Sequence, residues 1–162
     1  MRVHLGSDHA GFDLKNHLAR WLTERGHDVV DHGPVRFDPS DDYPPYCLRA
    51  AAAVVADRAI GVPALGVVIG GSGNGEQIAA NKVAGVRAAL AWSDQTAALA
   101  RRHNDANVVS IGAQLHDLQT ATRFVEVFLS TDYSGEERHS RRIAMLSRYE
   151  STGEPPPLPE QP

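Results

Sequence analysis

The chain predicts an α/β fold, a three-layer α-β-α sandwich around a mostly parallel five-stranded sheet, and three observations carry that expectation. Short apolar runs alternate with helix-patterned stretches along the sequence, the mark of β-α units wound on one sheet. The most apolar run, residues 65–69 (LGVVI), has no polar position and reads as a strand covered on both faces. It passes directly into Gly70-Gly71-Ser72-Gly73-Asn74-Gly75, and open parallel sheets bind ligands beyond the carboxyl ends of their strands.

Residues 2–7 alternate enough for a first strand, and Asp8-His9-Ala10-Gly11 turns the chain into a helix. There Leu14, Leu18, Trp21 and Leu22 share a face that Lys15, Asn16, Arg20 and Glu24 avoid. Gly26 closes this helix, residues 27–30 give a second strand, and a polar loop over 32–45 leads to a helix over 46–56. After the central strand and glycine loop, EQIAANKVAG predicts a helix from Glu76 to near Gly85. Residues 86–91 form a fourth strand, Ser93 caps the helix SDQTAALARRHN, and 107–111 supply a fifth strand. Two more helices are expected over 117–130 and 134–151, the second opened by a capping box from Ser134 to Glu137. The whole reads as one Rossmann-like domain over 1–151 with a proline-rich tail at 152–162.

Composition narrows the function. The 162 residues suit one domain that buries roughly two thirds of its unfolded surface. A net charge of -4 and the absence of a polybasic run argue against nucleic-acid and membrane-surface partners. The single Cys47 excludes an internal disulfide, and neither a signal-peptide pattern nor a membrane-length apolar span is visible, so a cytoplasmic protein is expected.

The glycine loop departs from both familiar nucleotide motifs. G-x-G-x-x-G starts at Gly71 and Gly73 but needs glycine where Glu76 stands. The P-loop pattern fits Gly70 and Gly75, yet Glu76 replaces its lysine and Gln77 its magnesium-binding hydroxyl. A carboxylate beside unpaired backbone N–H groups suits a general base whose product oxyanion those donors stabilise. The alternative is a glutamate that merely complements the helix dipole. Asp8 and His9 fit either a helix cap or a ligand-holding pair. His103-Asn104 ends a helix, where the dipole favours a charged histidine. Arg138 and Arg142 lie one turn apart, and with Ile143, Leu146 and Tyr149 expected to pack inward, the arginines are free to bind a phosphate or simply to face solvent. The eight histidines show no metal-ligand spacing, so metal-free chemistry without a cofactor is expected. Ser72 misses the nucleophile elbow because Asn74 stands at its second glycine, and Cys47 reads as a small core residue.

Five separated motifs then fall in a recognisable order: Gly-Ser-Asp-His-Ala-Gly-Phe at 6–12, Asp-Tyr-Pro at 42–44, the glycine loop through Lys82, His103-Asn104, and Arg-His-x-x-Arg at 138–142. Together they resemble the type B ribose-5-phosphate isomerase family, in its glutamate-base branch, over residues 1 to about 150. The resemblance implies interconversion of ribose 5-phosphate and ribulose 5-phosphate in the pentose phosphate pathway, without metal, by homodimers or dimers of dimers with shared active sites. It implies Glu76 as the base between C1 and C2, with the backbone of Gly71, Ser72, Gly73, Asn74 and Gly75 stabilising the enediolate. It further assigns hydroxyl contacts to Ser72 and Asp8, ring opening to His103 assisted by Asn104, and the phosphate to His9, Arg138 and Arg142. A cysteine-base branch carries its cysteine where this chain has Gly70. One departure stands out: Gln114 occupies a position where the family commonly has arginine. A six-carbon sugar phosphate is the alternative substrate, and a non-catalytic nucleotide-binding module the alternative class.

Overall fold

The computed structural model describes residues 1–158, so the part of the expected tail at 159–162 lies outside the described residues. Its five strands are β1 (Arg2–Ser7), β2 (Asp28–Asp31), β3 (Ala64–Gly70), β4 (Ala88–Ala91) and β5 (Val108–Gly112). They pair in the order β2-β1-β3-β5-β4, and every pairing is parallel rather than mostly so. The helices are α1 (Phe12–Glu24), α2 (Pro44–Ala59), α3 (Asn74–Ala80), α4 (Asp94–Asn104), α5 (Leu118–Ser130) and α6 (Glu137–Thr152).

Strand alternation divides the core in two. Val3, Leu5, Leu65, Val67, Ile69, Val109 and Ile111 point to the layer built by α1, α4 and α5, where Leu14, Leu18, Leu22 and Phe128 meet them. Val68, Ala88 and Val108 face the opposite layer, against Cys47, Ala50, Val54 and Ala80 of α2 and α3. That arrangement gives the expected three layers and explains why β3 carries no polar residue: all seven of its positions are buried.

Several boundaries move, each for a local reason. Helix α2 starts at Pro44 and not at 46, since prolines fit a first helical turn whose N–H groups lack intrahelical partners anyway. Helix α3 stops at Ala80 instead of near Gly85 because the Asn81 side chain leaves the helix to bridge β4, accepting from Ala88 N at 2.9 Å and donating to Ala88 O at 3.0 Å. With Gln77 Nε2 also on Ala88 O at 3.2 Å, these amides cover part of the outer edge of β4, and that strand starts at Ala88 rather than 86. Ser93 caps α4 as expected, in a reciprocal box with Thr96. The expected box at Ser134 does not form. Gly135 takes a left-handed φ of 66°, α6 begins at Glu137 with Glu136 as its cap residue, and Ser134 Oγ only accepts from Glu136 N at 3.3 Å.

Helix α6 also corrects the expectation that its apolar residues pack inward. Only His139 is buried on it, while Leu146 and Tyr149 are 58% and 50% exposed. Among the described residues no helix is long and apolar enough to cross a membrane.

Candidate active site

Three strands finish side by side: the sheet register pairs Ser7 with Ile69 and Gly70 with Gly112. The turns that follow them therefore share the carboxyl edge. The stretch after β5 is tied to the glycine loop, Ala113 N donating to Gly70 O at 2.8 Å and Gln114 N to Gly71 O at 3.0 Å. From below, the buried Ser110 hydroxyl donates to Gly73 O at 2.6 Å. Gly73 sits at φ 81°, and a Cβ there would come 2.6 Å from Leu90 Cδ1, so the turn needs glycine both for its dihedral and for its contact. Above it, Ser72 Oγ accepts from the backbone N and the Nδ2 of Asn74, both at 3.3 Å.

Glu76 lies in the first turn of α3 and is only 4% exposed. Its carboxylate folds back over Gly70: a Cβ on Gly70 would stand 1.8 Å from Oε1 and 2.2 Å from Cδ. Burial, and then the charge of Asp8, raise its pKa above the ordinary value, while backbone N–H groups in the loop pull the other way. A carboxylate pushed upward in this way is a stronger proton acceptor at neutral pH than an exposed one. Beneath it, burial followed by the charges of Glu76 and Asp8 pushes the Cys47 thiol up, so Cys47 remains a protonated core group.

Asp8 is buried and accepts from Ala10 N at 3.0 Å, so it caps the short turn after β1 and also faces the Glu76 pocket. His9 bonds Asp41 through its backbone N at 2.8 Å and its Nδ1 at 2.9 Å. Two residues without a sequence-based role join the site. Asp41 is one; the other is Tyr43, whose ring covers Gly75 so closely that a Cβ there would meet Cζ at 2.7 Å and Oη at 2.8 Å. The Asp-Tyr-Pro stretch at 42–44 was the available signal for Tyr43, and nothing local distinguished Asp41 from Asp38 and Asp42. Gln114 rests its side-chain amide against Gly71, with Oε1 3.1 Å from where a Cβ would be.

The remaining candidates gather elsewhere. Helix α4 leaves the carboxyl edge after β4 and runs back, which puts His103 and Asn104 at the amino edge. There Asn104 O accepts from Arg87 Nε at 2.8 Å, one residue before β4 begins. His139 of α6 stacks on His103, centroids 4.2 Å apart and planes 14° from parallel, which brings the arginine helix to the same end. Arg138 is exposed and pairs with Glu136 at 2.9 Å, and Arg142 is exposed one turn on. The seven residues of β3 span roughly 20 Å, so within one chain this group stands far from Glu76. The chain thus brings together Asp8, His9, Gly71, Ser72, Gly73, Asn74, Gly75 and Glu76, and separately His103, Asn104, Arg138 and Arg142. Among the described residues no cluster of His, Cys, Asp and Glu is arranged to hold a metal ion.

A family model described as Ribose/Galactose Isomerase matches residues 3–146. The chain belongs to the ribose/galactose isomerase family. Within it, the chain is 52% identical over 162 residues to ribose-5-phosphate isomerase B of Mycobacterium tuberculosis, covering 100% of this chain and 98% of that one. The Escherichia coli enzyme of the same name is 37% identical, with 92% and 96% of the two chains covered. Among solved structures, ribose-5-phosphate isomerase B from Mycoplasma genitalium with bound ribulose-5-phosphate superposes with a TM-score of 0.86 at 38% identity, over 93% of this chain and 97% of that chain. This family membership matches the fold and the resemblance carried by the five motifs.

Proposed function

We propose that the protein is an aldose-ketose isomerase that interconverts ribose 5-phosphate and ribulose 5-phosphate through a cis-enediolate, in the pentose phosphate pathway. The observation that carries this reading is the Glu76 carboxylate, buried and with a raised pKa, folded over Gly70 beside a loop of backbone donors. In the aldose direction Glu76 takes the proton from C2, the C2–H electrons form the C1–C2 double bond, and the carbonyl electrons move onto O1. Returning the proton to C1, with transfer of the hydroxyl proton between O2 and O1, yields the ketose. Backbone N–H groups from Gly71 to Gly75 meet the enediolate oxygens, and Ser72 and Asp8 hold hydroxyls, since removing a weakly acidic C–H proton needs both a placed base and donors for the oxyanion.

The reading requires two copies. His103, which would protonate the ring oxygen on opening, and Asn104, Arg138 and Arg142 lie at the wrong end of their own sheet, but two copies can bring one glycine loop to the other's His103 group. The exposed Met145, Leu146 and Tyr149 of α6 supply apolar surface for that pairing. In such a homodimer, or dimer of dimers, His9 of one copy and Arg138 and Arg142 of the other hold the phosphate. The same reading assigns catalysis to the domain expected over 1–151, whose last helix runs one residue further to Thr152, and locates the enzyme in the cytoplasm with its phosphorylated substrates.

A six-carbon sugar phosphate is the second reading, motivated by the matching family's description as Ribose/Galactose Isomerase. A coupled assay with ribose 5-phosphate, ribulose 5-phosphate, allose 6-phosphate and galactose 6-phosphate separates the two. Preferred turnover of ribose 5-phosphate supports the reading, preferred turnover of a hexose phosphate replaces its substrate, and turnover of none rejects it.

A further inference from the structure

We propose that Asp41 is a positioning residue: it clamps His9 so that the imidazole Nε2 faces the phosphate end of the substrate, an assignment that rests on the isomerase reading above. One oxygen, Asp41 Oδ1, accepts from the His9 backbone N at 2.8 Å and lies 2.9 Å from Nδ1. These two bonds fix both the main chain and the ring, and they leave Nε2 as the one ring nitrogen free to meet a ligand. Burial is graded in the same direction, the Asp41 side chain being 8% exposed and the His9 side chain 36%. The carboxylate lies behind and the imidazole in front.

Capping accounts for only one of Asp41's two bonds, that from the His9 backbone N; the bond to Nδ1 has no part in it. Asp8 already caps the turn that carries His9. The second oxygen of Asp41, Oδ2, is buried, with the Tyr46 phenol of α2 turned toward the same carboxylate, so the group is held from behind as well. The ring is walled as well as tethered: Phe37 meets it edge-on at 6.4 Å and meets Phe12 of α1 at 5.9 Å.

The charges around His9 are acidic. Asp8 precedes it, Asp38 and Asp41 face it from the loop, α1 brings the Phe12 ring against this wall with the Lys15 ammonium behind it, 5.7 Å from the ring centroid and paired with Asp31, and from α2 the Tyr46 phenol faces Asp41. The bond to Asp41 is the foremost cause that raises the His9 pKa. An imidazolium held from behind, with one donor directed outward, is a cation built to meet an anion. Because a phosphate does not react, Asp41 acts on binding rather than on the proton transfer.

The test uses the full-length unliganded protein and histidine ring NMR, with the His9 signal assigned by its loss in His9→Gln. The wild type is expected to show neutral His9 protonated on Nδ1, a measurement that needs no Asp41 variant to fold. Asp41→Asn, of equal size but uncharged, is expected to lower the His9 titration midpoint and to weaken its response to inorganic phosphate about three- to tenfold. The KM for ribose 5-phosphate should rise by a similar factor while kcat changes by less than about twofold. A neutral Nε2-protonated tautomer, an unmoved midpoint in Asp41→Asn, or a fall in kcat with KM unchanged overturns the proposal. If the wild type turns over no sugar phosphate, the isomerase reading fails, and the tautomer and the phosphate response still decide the role of Asp41.

Discussion

The Glu76 carboxylate occupies the space that any side chain on Gly70 would need, its Oε1 lying 1.8 Å from the Cβ position of residue 70. Glutamate at 76 and glycine at 70 are therefore one structural choice. Gly70→Ala is expected to expel the carboxylate, lowering turnover by about a hundredfold or more through the misplaced base and stability by about 1–3 kcal/mol through overpacking. Steady-state rates and denaturant midpoints on the purified variant check both, and full activity would show that the carboxylate works from another position.

The division of the site between two ends of the sheet gives a test of pairing. Glu76→Gln and His103→Ala should each lose most ribose 5-phosphate turnover alone, yet co-expressed chains should recover it. A mixed dimer has one site with both residues intact, and random pairing makes half the dimers mixed, so about a quarter of wild-type turnover is expected. No recovery in demonstrably mixed dimers would place the working site within one chain.

Acid should weaken the fold. Burial first, and then the N-terminal charge for His27, His4 for His32 and His103 for His139, lower these three histidine pKa values. Their unfolded values near 6.5 are higher, so below about pH 6.5 the unfolded chain binds more protons and stability falls. His9 acts oppositely: raised first by Asp41, it contributes stability that is fully present below the unfolded value and is lost as pH rises through the folded one. Glu76 acts with His9, because a buried carboxylate with a raised pKa is relieved as acid protonates it. Three lowered histidines against these two raised groups predict a small net loss, read as urea midpoints falling from about pH 7.5 to about pH 5 at fixed ionic strength. Midpoints that rise across that window contradict the assignment.

The layers, the strand sequence and the glycine loop were legible because each rests on local pattern: an unbroken apolar run, a 3.6-residue stripe, a Ser93 cap. The contents of the loop edge were less so. Tyr43 and Asp41 reach the site across long sequence separations, over Gly75 and onto His9, and the prolines that read as loop begin α2. His103 and the arginines were legible as chemistry but not as location. Their distance from Glu76 depends on α4 running back along the sheet, and Met145, Leu146 and Tyr149 of α6 stay largely exposed on their own chain. At α6 the left-handed Gly135 overrode a capping pattern that three-residue spacing alone suggested.

The most direct test of the central claim is the turnover of ribose 5-phosphate by Glu76→Gln. The amide keeps the volume over Gly70 but cannot accept a proton, so turnover should fall by about a hundred- to ten-thousandfold. The fold should survive. Because burial disfavours the ionised carboxylate, the neutral variant should be at least as stable as the wild type at neutral pH, as thermal denaturation of the same sample will show. Near-abolished turnover in a protein of equal or higher stability is the expected result; a loss of only severalfold in a folded protein would contradict Glu76 as the base.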